Sequence, residues 1–143
     1  MMLESKWPSQ LKKTRIRKEI IAILSEATMP LSALQIANII FKSDDKLWPS
    51  TLYRGLEAMV SAGVVRRIDL TESSSSFYEL STHKHSHYAI CLDCHKMFAI
   101  RNCPLIDYEP LIDDKGFTII NHKMEIYGYC GECQKNHLNH LTK

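Results

Sequence analysis

Two closely spaced pairs of cysteines constrain this sequence more than any other feature. The first is Cys91-x-x-Cys94 and the second is Cys130-x-x-Cys133. Each pair presents two thiolates from a tight turn, and two such pairs complete the tetrahedral sulfur set that is typical of structural zinc. Thiol redox switching is the alternative, although cysteines in a reducing compartment more often hold metal than form disulfides. We therefore predict a closed zinc site that stabilises the second half of the chain without sensing metal.

A run of alternating histidines, His83, His85 and His87, lies just before the first cysteine pair. Alternate residues of a strand face the same side, so these imidazoles are expected to converge. Glu79 before the run and His122 in a later strand offer further donors. The candidate metal ligands are therefore these three histidines with Glu79 and His122, a set that suits Zn²⁺, Fe²⁺ or Mn²⁺. A surface histidine strand without any ligand role is the other interpretation.

Three helical patterns fill the front of the chain. Apolar side chains recur at three- and four-residue spacing after Thr14, again after a capping-box pattern that starts at Ser32, and once more from Pro49 to Ala62. Ser50 is the expected cap of the third helix and Gly63 its expected stop. We therefore expect three short helices, each with one apolar face.

An alternating apolar pattern on both sides of a serine-rich turn at 71–76 predicts a β-hairpin. Three helices followed by a two-stranded wing is the order of a winged helix-turn-helix domain, which we assign to residues 1–82. Residues 83–143 are expected to form a small α/β domain with the zinc site. Its expected elements are two strands, a helix and a long strand, at 87–93, 96–100, 104–115 and 117–129. The fold class is α+β.

The polar side of the third helix and the basic N-terminal arm are candidates for contact with DNA. Polar residues near the start of that helix are positioned as in a helix that reads bases in the major groove. The first 18 residues carry a net charge of +5, whereas the whole chain carries only +2. A basic arm suits phosphate contacts, and a solvated charged tail is the alternative. The predicted DNA-binding residues are Lys12, Lys13, Arg15, Ser50, Thr51, Tyr53 and Arg54.

Composition and missing motifs exclude several other protein classes. An apolar content of 45% and a charged content of 24% are ordinary for a globular protein. The sequence has no apolar run of about 18 residues and no signal-peptide pattern at its start, so we expect a cytoplasmic protein without a membrane partner. It also lacks the zinc-deaminase, His-Glu-x-x-His, P-loop and Gly-x-Ser-x-Gly motifs. We therefore expect no enzymatic activity and no small organic substrate.

The assembled motifs resemble the ferric uptake regulator family over roughly residues 10–134. The resemblance rests on the segments 50–56, 90–94 and 121–130, together with the histidine run. It implies a homodimer that binds an inverted-repeat operator in double-stranded DNA when loaded with metal and represses metal-uptake genes. It also implies structural zinc at the four paired cysteines and DNA contact by Tyr53 and Arg54. The predicted regulatory metal ligands that the resemblance implies are Glu79, His85, His87 and His122. A metal bound to all four would link the end of the front half to the back half.

The segments 102–105 and 122–128 are most similar to the zinc-uptake branch of that family, which favours zinc over iron or peroxide as the signal. Some positions depart from the family pattern: Pro30 and Ala99 stand where many members have metal ligands, and His95 replaces a common glycine. A rearranged regulatory site therefore stays open, with three further candidate donors, His83, Asp107 and Cys103. The first interpretation of Cys103 is a buried thiol. A zinc-ribbon interaction protein without an operator is the competing functional class.

Overall fold

The computed structural model describes residues 7–42, 49–81 and 86–141, with side chains described up to residue 137 of the last helix. The chain divides into two units, Met1–His83 and Lys84–Lys143. Among the described residues, none of the helices combines the length and the apolar content needed to cross a membrane.

The first unit contains three helices and a three-stranded antiparallel sheet. Strand β3 lies between β1 and β2, and Val65 of β2 pairs with Leu80 of β3 at the open end of the hairpin. The three helices and the hairpin follow the predicted order, whereas the short strand β1 was not predicted. The elements are α1 Arg15–Glu26, β1 Leu31–Ser32, α2 Ala33–Phe41, α3 Pro49–Ser61, β2 Val65–Asp69 and β3 Ser76–Leu80.

The predicted capping box begins α2. The backbone N–H of Gln35 donates to Ser32 Oγ over 3.2 Å, and the backbone N–H of Ser32 donates to Gln35 Oε1 over 2.8 Å. Two backbone donors at the helix start thus find partners within the motif itself. The capping-box prediction is confirmed.

The end of α3 is also as predicted, and its start is not. Gly63 adopts a left-handed φ of 72°, and its N–H donates to the carbonyl of Val60 over 3.0 Å, which closes the helix. At the other end, α3 begins at Pro49, so the prediction that Ser50 is the cap is wrong. Proline favours the first helical position because its φ is already helical and it has no N–H to satisfy.

Buried apolar side chains from all three helices form the core of the first unit. Ile20 of α1, Ile36 of α2 and Leu56 of α3 are fully buried. Gly55 lets α1 and α3 approach closely, because an added Cβ would lie 3.2 Å from Cδ1 of Ile20. Full burial of each such side chain stabilises the fold by about 1.5–3 kcal/mol. The core therefore fixes α3 through one face and leaves its opposite face exposed.

The second unit has a small sheet and a terminal helix. Strand β4 is central, with β5 antiparallel on one side and β6 parallel on the other. The strand predictions at 87–93 and 96–100 are confirmed, and the final helix was not predicted. The elements are β4 His87–Cys91, β5 Met97–Ile100, β6 Glu125–Gly128 and α4 Gly131–Leu141.

Two predicted elements of the second unit are wrong. Residues 104–115 form turns and bends instead of a helix, because Pro110 has no N–H and its ring clashes with the preceding helical turn. The long strand predicted at 117–129 shrinks to β6, Glu125–Gly128. Its parallel ladder begins with Tyr88 opposite Glu125, near the start of β4, so earlier residues meet no strand partner in the described chain.

Candidate metal centres and nucleic-acid surface

The two cysteine pairs come together as one four-cysteine cluster: Cys91, Cys94, Cys130 and Cys133. Their four Sγ atoms all lie within 4.8 Å of one another. The Sγ atoms of Cys94 and Cys130 are 3.8 Å apart, and a tetrahedral zinc with bonds of about 2.3 Å holds its sulfurs about 3.8 Å apart. The donor chemistry and the spacing therefore both fit a closed tetrahedral zinc site.

Hydrogen bonding within the four-cysteine cluster favours one thiolate over the others. The backbone N–H of Cys130 donates to Cys91 Sγ over 3.3 Å, and this bond is the main cause that lowers the pKa of Cys91 to about 6. The side-chain hydrogen bond with Cys130 is the main cause that raises the pKa of Cys133 to about 12. Four thiolates this close together would need a cation between them, and the donor set fits zinc, which binds cysteine in the deprotonated form.

The turn after β4 and the first turns of α4 hold these thiols in place. The N–H of His95 donates to the carbonyl of Cys91 over 3.0 Å, and His95 adopts a left-handed φ of 58°. Lys96 forms a salt bridge of 3.2 Å with Glu132 of α4. An L-residue in the left-handed region is strained, which agrees with the resemblance that places a glycine at position 95.

A second group of possible ligands forms a histidine–cysteine cluster: His87, Cys103 and His122. The Nε2 atoms of His87 and His122 are 3.0 Å apart, and Cys103 Sγ is 3.3 Å from His122 Nε2. His87 lies buried on β4, whereas the other two side chains are half-buried in irregular segments. All three ligand atoms lie within 4.8 Å of one another.

The spacing in the histidine–cysteine cluster fits a metal ion after small shifts. Tetrahedral zinc holds two imidazole nitrogens about 3.3 Å apart and a nitrogen and a sulfur about 3.6 Å apart. The observed separations are 3.0 Å and 3.3 Å. Among the described residues this cluster offers three donors, one fewer than a closed tetrahedral zinc site uses, whereas the four-cysteine cluster offers all four.

The predicted regulatory ligands are brought together only in part. His87 and His122 share the cluster, and Cys103, first interpreted as a buried thiol, joins them. Glu79 belongs to the first unit, where its carboxylate accepts a hydrogen bond of 2.8 Å from Nε of Arg66. Its role as a ligand stays a prediction.

Three other candidate donors lie elsewhere or cannot be placed. His83 and the predicted ligand His85 lie outside the described residues, and Asp107 is exposed in the irregular segment after β5. Of the three further candidate donors named from the sequence, Cys103 is the one that the described structure brings into a cluster.

The residues predicted to contact DNA are exposed in the first unit. On α3 the four polar residues near the helix start face away from the core, and the Tyr53 side chain is 52% exposed. Leu52 and Leu56 lie on the opposite face of α3 and are buried. In the N-terminal segment Lys12 and Lys13 are exposed, and Arg15 forms an exposed ion pair with Glu19. The predicted residues on α3 are Ser50, Thr51, Tyr53 and Arg54.

Comparison with known proteins gives consistent matches along the chain. The sequence model of the ferric uptake regulator family matches residues 8–127. The ferric uptake regulation protein of Yersinia pestis is 29% identical over 137 residues, which cover 93% of this chain and 92% of the relative. The peroxide-responsive repressor PerR of Staphylococcus saprophyticus is 36% identical over 86 residues, which cover 59% of this chain and 57% of the relative.

Solved structures match the fold. The ferric uptake regulator of Francisella tularensis with iron superposes with a TM-score of 0.79 at 24% identity, over 90% of this chain and 98% of that one. A zinc-bound manganese uptake regulator gives a TM-score of 0.68 at 26% identity, over 85% of this chain and 92% of that one. The arrangement of helices and strands is therefore shared with solved metal-dependent regulators.

Proposed function

The chain belongs to the ferric uptake regulator family and is therefore a metal-sensing transcriptional regulator, and we propose that it is a homodimeric repressor of metal-uptake genes that senses zinc. This proposal rests on one observation: the second unit contains two different groups of side chains that could each hold a metal ion. In the described part of the chain, the four-cysteine cluster offers a full tetrahedral set of four donors, and the histidine–cysteine cluster offers three. A closed site stabilises the fold, whereas an open one is free to respond to metal supply.

The first unit supports DNA binding in this proposal. The face of α3 that carries Tyr53 and Arg54 is exposed, while Leu56 on the opposite face anchors the helix in the core. A helix fixed in this way presents a rigid polar surface to the major groove. Lys12 and Lys13 add phosphate contacts, which position a protein on DNA without reading its sequence.

Zinc is the favoured signal because of the donors in the histidine–cysteine cluster. Imidazole and thiolate are borderline and soft ligands, which suit zinc better than manganese or magnesium. Glu79 and His85 stay proposed additional ligands of the regulatory metal. Regulation by iron, manganese or peroxide is the alternative within the family.

Exposed apolar side chains of the second unit support the homodimer. Three of them lie in the irregular segment between β5 and β6: Ile106 is 73% exposed, Leu111 is 99% exposed and Ile120 is 89% exposed. Clusters of large apolar side chains at a surface mark sites of protein association. The proposed partner is a second copy of the chain, as the family resemblance implies.

Metal acts on DNA binding by differential affinity in this proposal. A ligand shifts an equilibrium only as far as it prefers one state over the other. Zinc at the histidine–cysteine cluster therefore strengthens operator binding only as far as zinc binds the DNA-competent state of the protein more tightly than the other states. Couplings between two sites in one protein are typically about 1–3 kcal/mol.

Selection of DNA in the presence and absence of zinc tests the proposal. Protein that keeps one zinc per chain would be incubated with inverted-repeat duplexes of random sequence, with and without added zinc. We expect added zinc to enrich one inverted-repeat sequence, and we expect a variant with alanine at His87 and His122 to show no such enrichment. A zinc-ribbon interaction protein would enrich no sequence under either condition. Equal enrichment with manganese or iron(II) and none with zinc would instead identify a different signal.

A further inference from the structure

We propose that Cys103 is a direct ligand of the regulatory metal and that its thiolate is the group that makes this site discriminate zinc from manganese and iron(II). The inference rests on the proposed regulatory role of the histidine–cysteine cluster and assigns its metal selectivity to one residue.

The position of Cys103 separates it from the structural cysteines. The four paired cysteines face one another in their own cluster, whereas Cys103 follows β5 in an irregular segment and contacts His122 instead. Its Sγ atom is 3.3 Å from His122 Nε2, and that nitrogen is 3.0 Å from His87 Nε2. A half-buried thiol whose sulfur contacts one imidazole nitrogen and lies within 4.8 Å of a second is arranged as a ligand and not as a packing residue.

The anchoring of His87 makes the cluster a defined site. The His87 side chain is only 5% exposed, and its backbone lies in β4, where it pairs with Ile100 of β5. The rings of His87 and His122 stack with their centroids 4.9 Å apart. Cys103 comes only three residues after Ile100, so the sheet positions both His87 and the start of the segment that carries the thiol.

The chemistry of sulfur gives the selectivity. Zinc binding displaces the thiol proton to solvent, and the resulting Zn–S bond forms with a soft, polarizable donor. Manganese and iron(II) are harder ions and gain less from a thiolate than from a carboxylate. With a carboxylate at position 103, the same two imidazoles would form a site with far weaker preference for zinc.

Cobalt(II) reports directly on the ligand, because it replaces zinc and gives an intense near-ultraviolet charge-transfer band only when a thiolate binds it. Protein that keeps zinc in its four-cysteine cluster would be titrated with cobalt, with released zinc measured in parallel. We expect one further equivalent of cobalt to produce the band, and zinc to abolish it.

Three variants sharpen the experiment. Cys103→Ser and Cys103→Asp should lose the band, while Asp107→Asn, which alters an exposed carboxylate in the same segment, should keep it. Loss of groups that only support a ligand costs about 10–100-fold in metal affinity, so loss of a direct ligand should weaken zinc binding by at least about 100-fold. In Cys103→Asp the affinity for manganese should change much less than the affinity for zinc. The ratio of zinc affinity to manganese affinity should therefore fall.

The outcomes separate this inference from the proposed function. If cobalt binds the wild-type protein without a charge-transfer band, or gives the same band in Cys103→Ser, then Cys103 is not a ligand. Should zinc still strengthen operator binding in that case, the regulatory function stands and only the selectivity assignment fails. If the band appears as expected but no metal changes operator binding, the ligand assignment stands and the regulatory function fails. The absence of any second bound metal would overturn both.

Discussion

The two units of this chain reach stability by different means. In the first unit, fully buried apolar side chains come from all three helices, among them Ile20, Ile36 and Leu56. In the described part of the second unit, the buried residues lie on the single strand β4, and large apolar side chains such as Leu111 are exposed. A domain of about 60 residues is marginal on apolar burial alone. We therefore expect the second unit to depend on bound metal for its stability and the first unit not to.

The largest expected effect comes from breaking the four-cysteine cluster. Cys130→Ser removes one of the four thiols of this cluster. Structural zinc contributes an apparent free energy of about 10–16 kcal/mol in small zinc-dependent folds, so we expect the second unit to lose its zinc and unfold. Hydrogen exchange measured by mass spectrometry, with zinc analysis, would follow each unit separately.

The matched control for that variant is Cys103→Ser, which also removes one thiol but should keep the structural zinc. We expect the exchange of the first unit to stay slow in both variants, and dimerisation to weaken only in Cys130→Ser. Full zinc content and unchanged protection of residues 86–100 in Cys130→Ser would contradict the account.

The next effect in size concerns the apolar core of the first unit. Leu56→Ala leaves a cavity at a fully buried position, and such truncations cost about 2–5 kcal/mol. Urea unfolding would measure the loss, and zinc content should stay unchanged. Leu34→Ala on α2 is the control, because that leucine is 68% exposed and its truncation should change stability by no more than about 0.5 kcal/mol. A loss of zinc from Leu56→Ala would contradict the comparison, because metal binding in the second unit would then depend on the apolar core of the first.

A smaller effect is expected from variants of the residues that are predicted to contact DNA. Arg54→Ala should lower the discrimination between a selected operator and other duplexes by about 1–3 kcal/mol, because it removes a contact to a base. Lys12→Ala and Lys13→Ala should instead weaken binding to all duplexes alike and reduce the salt slope by about one unit each. Fluorescence anisotropy at several salt concentrations distinguishes the two. An Arg54→Ala protein that binds its operator as tightly as the parent would remove α3 from the interface.

The smallest effect is expected at His95, which directly follows Cys94 in the turn after β4. The left-handed φ of 58° costs an L-residue about 1–2 kcal/mol, whereas glycine adopts it freely but loses about 0.5–1 kcal/mol more entropy on folding. His95→Gly should therefore stabilise the second unit by about 0.5 kcal/mol. Competition for zinc with a chelator would detect the gain as slower metal release. A destabilised variant would mean that the imidazole contributes more than the strain costs.

Much of the first unit could be predicted from the sequence, because its signals are local. The Ser32 capping box, the Gly63 stop and the apolar spacing of α3 each involve residues within a few positions of one another. The cysteine pairs were also predictable, since their spacing alone specifies tetrahedral zinc chemistry.

The second unit was harder to predict because long-range pairing determines it. The β-rich run at 117–129 forms a strand only at Glu125–Gly128, where β4 offers a partner. Cys103 and His122 lie 19 residues apart in sequence and come into contact through the fold, so the sequence could name Cys103 only as one of three further candidate donors. His95 was recognised as a departure from a family pattern, and its backbone conformation gave that departure a physical meaning.

The zinc affinity of the histidine–cysteine cluster, measured with and without operator DNA, tests the central claim most directly. Coupling between two sites is reciprocal, so DNA must tighten zinc binding by the same factor by which zinc tightens DNA binding. Calorimetric titration of zinc into protein that already holds its structural zinc, alone and bound to the selected duplex, gives both affinities. We expect the duplex to raise zinc affinity by about 5–150-fold. Equal zinc affinity in the two titrations would contradict the account, because metal at this cluster would then have no influence on DNA binding.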